Sequence, residues 1–579
     1  MNDNQALPKA MQIIQGLLNT GQLQQIIDYI DNQSDDLKNI TQIQKIRALV
    51  LIKLQRYAEA RDTLLKVLSQ NPMQHDIKHN LAFVYRQLNE FEPAIEYARS
   101  ALELAPEVVK YNLYLSRLHK ESKQILKAVQ VLRIALLKGV NDDELICEFA
   151  ALLNTTYEYQ EALEVLDNSQ ESFYSLLLTL EARIQLNHYA EAMSIVPDLI
   201  KLLDNADQAR LIKFSDMLRQ LGEFEKADQI LSSLNEMTYE LAYKRIQSPS
   251  YVKGHTTEHS KDNIEALSDE PALQNLSQEQ NMNLNFAYSN HYFSLNNVTE
   301  GFAYCHLANA ENAPDKRFKA DVKSAFSAIA NTFTNHDLCN VTGVDSDLPV
   351  FIIGMPYSGA SLLENIISAH SRAFGAGEAP YLNLALNEMD FYAKTHTDRL
   401  KYLSKICDWT DDDCQHMTAY YLNHLRAYDQ YADKIVDMLP HNFMHLGVII
   451  RLFPKAHIIH VKRNPVANCL AIYQENMDAF HLYGNDLNYL AEYYKQYEKL
   501  MSFWQQTLSL DNYLSVNYED LLTERETSVR EVLTFLGLDI EAQCLDFYDA
   551  EHTHTSALKP WLGIEDHIQP LLAAFPQAK

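Results

Sequence analysis

The sequence is short of the two residues that interrupt regular structure. Only 15 glycines and 17 prolines occur in 579 residues. A turn-rich all-β fold uses more of both, so their scarcity favours long helices. Cysteine is sparse too: seven, scattered, and none in a C-x-x-C pair. That excludes a disulfide framework or a cysteine zinc site, and it predicts a reduced compartment. No apolar run approaches the ~20 residues of a bilayer span. The start, MNDNQALPKAMQIIQG, lacks a basic segment followed by an apolar one, so the expectation is a cytoplasmic protein without an export signal. Basic residues are in deficit, 49 Lys and Arg against 77 Asp and Glu, for a formal net charge of −28. Such a surface argues against nucleic acid and against anionic membranes. A small anion in a locally positive pocket stays compatible with it.

Hydrophobic residues make up 47% of the chain, enough for several cores. The first half repeats. YAEARDTLLKVLSQNP ends at Pro72 and FEPAIEYARSALELAP at Pro106, and Ala60, Ala94, Ala128 and Ala162 recur at a step of 34 residues. Ala192 and Ala227 continue the series at steps of 30 and 35. Small residues at fixed positions let two antiparallel helices approach closely, and a proline stops the second helix. This pattern resembles the tetratricopeptide repeat, whose period is 34. Such repeats stack into a solenoid whose groove binds a protein or peptide, or which serves only as scaffold. After Ile246 the chain turns polar and aperiodic. A helical pattern then returns, with Phe286 and Phe293 on one face and Phe302 opening a second apolar stretch. The expected organisation is a repeat solenoid over 1–246, a linker and bridging helical hairpin over 247–345, and an α/β domain over 346–579.

The α/β expectation rests on three apolar runs, LPVFIIG (Leu348–Gly354), AHIIHVKRNP (Ala456–Pro465) and one within YLSVNYEDLL (Tyr513–Leu522). They suit parallel strands, separated by helices predicted over Ser361–His370, Tyr402–Tyr428 and a long stretch from Val466. A central parallel sheet places ligands at the carboxyl ends of its strands. The loop Gly354–Ser361 has the G-x-x-x-x-G spacing of a phosphate loop, but Ala360 stands where a nucleotide-hydrolysing loop carries lysine. Backbone amides and a helix start still attract an anion. The missing lysine disfavours a kinase.

Five stretches occur in order: PVFIIGMPYSGASLLE, FGAGE, DMLPHNFMHLG, FPKAHIIHVKRNPVANCLAIY and VNYEDLL. Together with the repeats they resemble the bacterial tetratricopeptide-repeat sulfotransferases, relatives of the protein-tyrosine sulfotransferases. The resemblance implies 3′-phosphoadenosine 5′-phosphosulfate (PAPS) as co-substrate, no metal, and a protein or peptide partner. It implies that Gly354, Tyr357, Ser358, Gly359, Ala360 and Ser361 cradle the phosphosulfate. Arg463 is matched to the 3′-phosphate, Tyr518 to the adenine side, and Ser556 and Lys559 to the last donor loop. Glu378 is matched to the general base. Four positions depart from the family pattern: Tyr357 replaces arginine, Ala360 threonine, Met438 the lysine of a D-K-x-P stretch, and Ala471 a serine. Lys462, His441, Lys559 and the Tyr357 phenol are the candidate substitutes. Two readings follow, a sulfotransferase acting on a hydroxyl such as tyrosine, or a catalytically impaired relative whose repeats carry the function. Acceptor and oligomeric state are not encoded in any motif.

Overall fold

A computed structural model of the chain describes residues 6–234, 238–251, 271–335, 343–387, 395–507, 512–546 and 558–578. It divides into two compact units, Met1–Ala182 and Arg183–Lys579.

The first unit is a row of antiparallel helices, among them Thr41–Lys53, Tyr57–Gln70, His75–Gln87, Phe91–Leu104, Val109–Glu121 and Ile125–Leu137. Ala60, Ala94, Ala128 and Ala162 are each 0% exposed, so the recurring alanines are the points of closest helix approach. The turns share one geometry. Gln55, Asn89, Lys123 and Tyr157 all take left-handed φ values of 60 to 64°. In each, the next amide reaches back over the turn, as from Arg56 N to Leu51 O at 2.9 Å and Glu90 N to Tyr85 O at 2.9 Å. This closure satisfies carbonyls that a helix end leaves without partners. Glycine is the residue that adopts it without strain, yet none of these four positions is glycine.

The second unit contains the same turn at Asn187, Gly222 and Asn296. The last of these joins Gln278–Ser294 to Val298–Glu311, so the expected hairpin is built like a repeat. Gly301 is required there, because a Cβ would come within 2.5 Å of the Phe293 ring. Phe302 is buried against Phe293, with ring centres 5.1 Å apart.

Beyond helix Lys316–Asn335 lies a sheet of five parallel strands. They are β1 (Pro349–Ile353), β2 (Ala373–Gly375), β3 (Lys434–Asp437), β4 (His457–Lys462) and β5 (Tyr513–Asn517), in the order β2-β3-β1-β4-β5. Central β1 is buried along its whole length, as its apolar run predicts. The register sets Phe351 opposite Asp437 and Ile353 opposite His460, bringing the carboxyl ends to one edge.

Three apolar runs predict β1, β4 and β5; β2 and β3 are additional. β2 has only three residues, and β3 begins with Lys434, whose ammonium is buried against the Asp347 carboxylate and carbonyl at 2.9 and 2.8 Å. Two predicted helices are also interrupted. The one expected over Tyr402–Tyr428 starts at Asp411, because Thr410 and Asp413 form a reciprocal capping box. The long helix expected from Val466 is instead two, Pro465–Tyr473 and Leu487–Thr507. Between them the chain makes a short 3-10 turn, Ala479–Asn485, capped by the Asp478 carboxylate.

Candidate active site

All five strand ends contribute to one cleft of about 980 Å³. The loop after β1 supplies Tyr357, Gly359, Ala360 and Ser361, and β2 leads to Glu378. β3 leads to Met438, Leu439 and His441, β4 to Arg463 and β5 to Tyr518.

The first loop is shaped by two close approaches. At Gly354 a Cβ would lie 2.6 Å from the Val461 carbonyl oxygen and 2.9 Å from Ser358 Oγ. At Gly359, φ is 104° and a Cβ would strike the Tyr518 ring at 2.3 Å. The helix Ala360–Ser368 starts directly after Gly359, so its first amides open toward the cleft. Neighbours hold the loop from behind: Asn468 Nδ2 donates to Pro356 O at 2.7 Å, and Arg463 Nη1 donates to Tyr357 O at 2.8 Å. Gly354 and Ser358 lie within the loop rather than among the residues that line the cleft. Ser358 Oγ is buried and has no hydrogen-bond partner among the described residues. Tyr357 takes a left-handed φ of 62°, and its partly exposed side chain lines the cleft.

Arg463 packs its guanidinium 4.7 Å from the centre of the Tyr518 ring. Burial pulls this group below its ordinary value, with Tyr518 and Glu519 opposing. An arginine stays charged under such a shift. Its Nε is buried without a partner among the described residues.

Glu378 is presented by a braced loop. Asn187 Nδ2 donates to Gly375 O at 2.7 Å, and Ala376 N to Val436 O at 2.8 Å. The Gly377 peptide is gripped at both ends: its N–H donates to Glu364 Oε1 at 2.7 Å, and its carbonyl accepts from Met438 N at 2.9 Å. The Glu378 side chain opens on the cleft. Its partial burial raises the carboxyl above the usual range; His481 opposes this and Asp478 adds to it. Behind it, Glu364 and Asp437 are buried, and burial lifts each to about 7. Asp437 accepts from Tyr421 Oη at 2.9 Å and from Leu439 N at 3.0 Å.

Met438 lines the cleft, where its sulfur accepts from Ser361 Oγ at 3.5 Å. Among the candidate substitutes, Lys462 and Lys559 are exposed and do not line the cleft, whereas His441 and Tyr357 do. Ala471, on the helix after Arg463, is also away from the lining. Ser556 lies outside the described residues. Several lining residues belong to no motif, among them Arg399, Asp478 and His481. Asp478 and His481 sit where the helix predicted from Val466 is interrupted, and Arg399 lies in the short 3-10 turn Asp398–Ser404, which begins before the helix predicted over Tyr402–Tyr428. A broken helical pattern rich in His and Asp was the available signal.

Residues 349–542 match the family model described as "Sulfotransferase family", and residues 75–108 match a tetratricopeptide repeat model. The α/β part of the chain is a sulfotransferase-family domain. An uncharacterized protein of Aquifex aeolicus (strain VF5) is 23% identical, across 91% of this chain and 72% of its own length. Among solved structures, the sulfotransferase domain of the Synechococcus PCC 7002 olefin synthase covers 40% of this chain and 96% of its own, at 18% identity and a TM-score of 0.28. A tetratricopeptide repeat protein from Parabacteroides merdae ATCC 43184 covers 40% and 99%, at 16% identity and a TM-score of 0.32. Among the described residues of the sulfotransferase domain and the repeats, no helix is long and apolar enough to cross a membrane.

Proposed function

We propose that the chain moves a sulfuryl group from PAPS to a hydroxyl acceptor, a tyrosine of a protein or peptide presented by the repeats. The observation that carries this reading is the meeting of three groups in one cleft: the amide end of helix Ala360–Ser368, the Arg463 guanidinium and the Glu378 carboxyl. The cleft also fits the co-substrate chemically. Arg463, on the cleft wall, has a buried Nε without a protein partner among the described residues, as expected of a group that awaits an anion.

When bound, PAPS supplies an activated sulfuryl group on a phosphate leaving group. The helix amides and the loop hydroxyls hold the phosphosulfate end. Arg463 takes the 3′-phosphate, and the Tyr518 ring beside it presents a flat face to the adenine side. Glu378 accepts the proton of the acceptor hydroxyl. Its raised carboxyl makes it a stronger base than a solvated glutamate, as proton abstraction near neutral pH requires. The repeats of the first unit suit protein recognition, the usual use of such an array.

A second reading has its own observation. Met438 puts a thioether on the cleft wall where the resemblance calls for a lysine, which favours a binding protein of low activity. Incubating the full chain with PAPS bearing a radiolabelled sulfuryl group and tyrosine-containing peptides separates the two. Label on tyrosine, lost in Glu378→Gln, supports the enzyme. Adenosine 3′,5′-bisphosphate binding without transfer to any hydroxyl replaces it with the binding reading.

A further inference from the structure

The donor loop carries no basic side chain, yet the wall of the cleft built by residues 476–481 carries the imidazole of His481. His481 lines the cleft with its side chain 17% exposed, and its Nδ1 stands 2.5 Å from Asp478 Oδ1. That bond assigns Nδ1 as the donor and leaves Nε2 for a ligand. The ring packs at 4.7 Å against His441 and at 5.1 Å against Phe480. Phe480 in turn lies under the Arg399 guanidinium, whose central carbon is 3.8 Å from the ring centre. Asp478 also accepts from Phe480 N at 3.0 Å, so one carboxylate both caps the turn and orients the imidazole.

Other bases do not serve as well. Arg463 is occupied at the Tyr518 end of the cleft. His441 is buried with its Nε2 3.1 Å from Tyr483 Oη, and burial drives it well below the usual range, so it stays neutral. His481 faces the Glu378 carboxyl and opposes its rise. The acidic groups facing it are Asp478, already bonded to its Nδ1, and Glu378 across the cleft.

Resting on the PAPS reading above, we propose that His481, oriented by Asp478 and backed by Arg399, supplies the positive charge on the 5′-phosphosulfate that Tyr357 and Met438 no longer provide. The acceptor oxygen bonds to sulfur as its proton passes to Glu378. The bond from sulfur to the bridging phosphate oxygen breaks, and the electron pair leaves on that oxygen, opposite the His481 imidazolium. Sulfur keeps its oxidation state, and the products are the sulfate ester and adenosine 3′,5′-bisphosphate.

The test is a calorimetric titration of the full chain with two probes, adenosine 3′,5′-bisphosphate and adenosine 3′-phosphate, which differ only in the 5′-phosphate. In the unchanged chain the bisphosphate binds more tightly. His481→Gln is expected to shrink that preference roughly 10-fold or more, with the affinity for adenosine 3′-phosphate held within about 2-fold. His481→Lys, which restores a charge, recovers part of the preference, and Asp478→Asn loses part of it. Turnover falls about 100- to 1,000-fold in His481→Gln, the usual cost of one oxyanion donor. An unchanged preference in His481→Gln overturns the inference and leaves the PAPS reading standing. No heat from either nucleotide with the unchanged chain overturns both.

Discussion

At one end of the cleft Arg463 and Tyr518 leave the tips of β4 and β5, inside stretches that motifs mark in the sequence. At the other, Arg399 and His481 come from short turns between helices, where no motif marks them. Both ends pair a guanidinium with an aromatic ring, Arg463 with Tyr518 at 4.7 Å and Arg399 with Phe480 at 3.8 Å. The difference lies in what fixes them. A parallel strand delivers its next residue to the carboxyl edge by topology alone. The second end depends on local bonds: Asp321 accepts from His396 N at 2.8 Å, His396 stacks on Phe480 at 4.0 Å, and Asp478 caps the turn before His481. Burial opposes ionisation of Asp321, yet the bonds from His396 and Thr397 hold it at about 2, so this anchor is charged throughout the physiological range.

Glu378→Gln is expected to lower kcat about 100- to 10,000-fold while nucleotide affinity at both ends holds, as read by single-turnover kinetics and calorimetry. Glu364→Gln tests the brace beneath it by stability. The Glu364 carboxyl is raised to about 7 from 4.5, so the folded state holds a proton that the unfolded state has released. Stability from this group is therefore present below pH 4.5 and is lost as pH rises through 7. Denaturant titration should show the variant more stable than the parent at pH 8, by on the order of 2–3 kcal/mol, with the gap closing near pH 4.5. Arg463→Ala removes the motif-borne end and should weaken adenosine 3′-phosphate about 10- to 100-fold, a loss that His481→Gln does not share. The smallest effect on the cleft belongs to the repeats. Ala94→Leu overpacks a helix contact and should cost about 1–3 kcal/mol of stability in thermal unfolding, with nucleotide affinity unchanged.

Much of this was legible beforehand, for reasons particular residues make plain. Ala60, Ala94, Ala128, Ala162, Ala192 and Ala227 announced the helix contacts because only a small side chain fits there, and all six are 0% exposed. The apolar run of β1 announced a central strand because both its faces are covered. Gly359 announced the close approach that Tyr518 makes. The turns were less visible. Gln55, Asn89, Lys123 and Tyr157 hold left-handed φ without being glycine, since the bond across the turn and the packing of two helices override local preference. β2 and β3 were hidden by shortness and by the buried Lys434. His481 was hidden because the helix predicted from Val466 ran through a segment that Asp478 caps as a short turn, and Arg399 because it precedes the predicted helix and belongs to no motif.

The central claim is that this cleft receives the nucleotide of PAPS with Arg463 on its 3′-phosphate. Isothermal titration of the full chain with adenosine 3′,5′-bisphosphate tests it most directly. The account predicts one-to-one binding that weakens at least about tenfold in Arg463→Ala. Absence of heat with the unchanged chain, or equal affinity in Arg463→Ala, would contradict it.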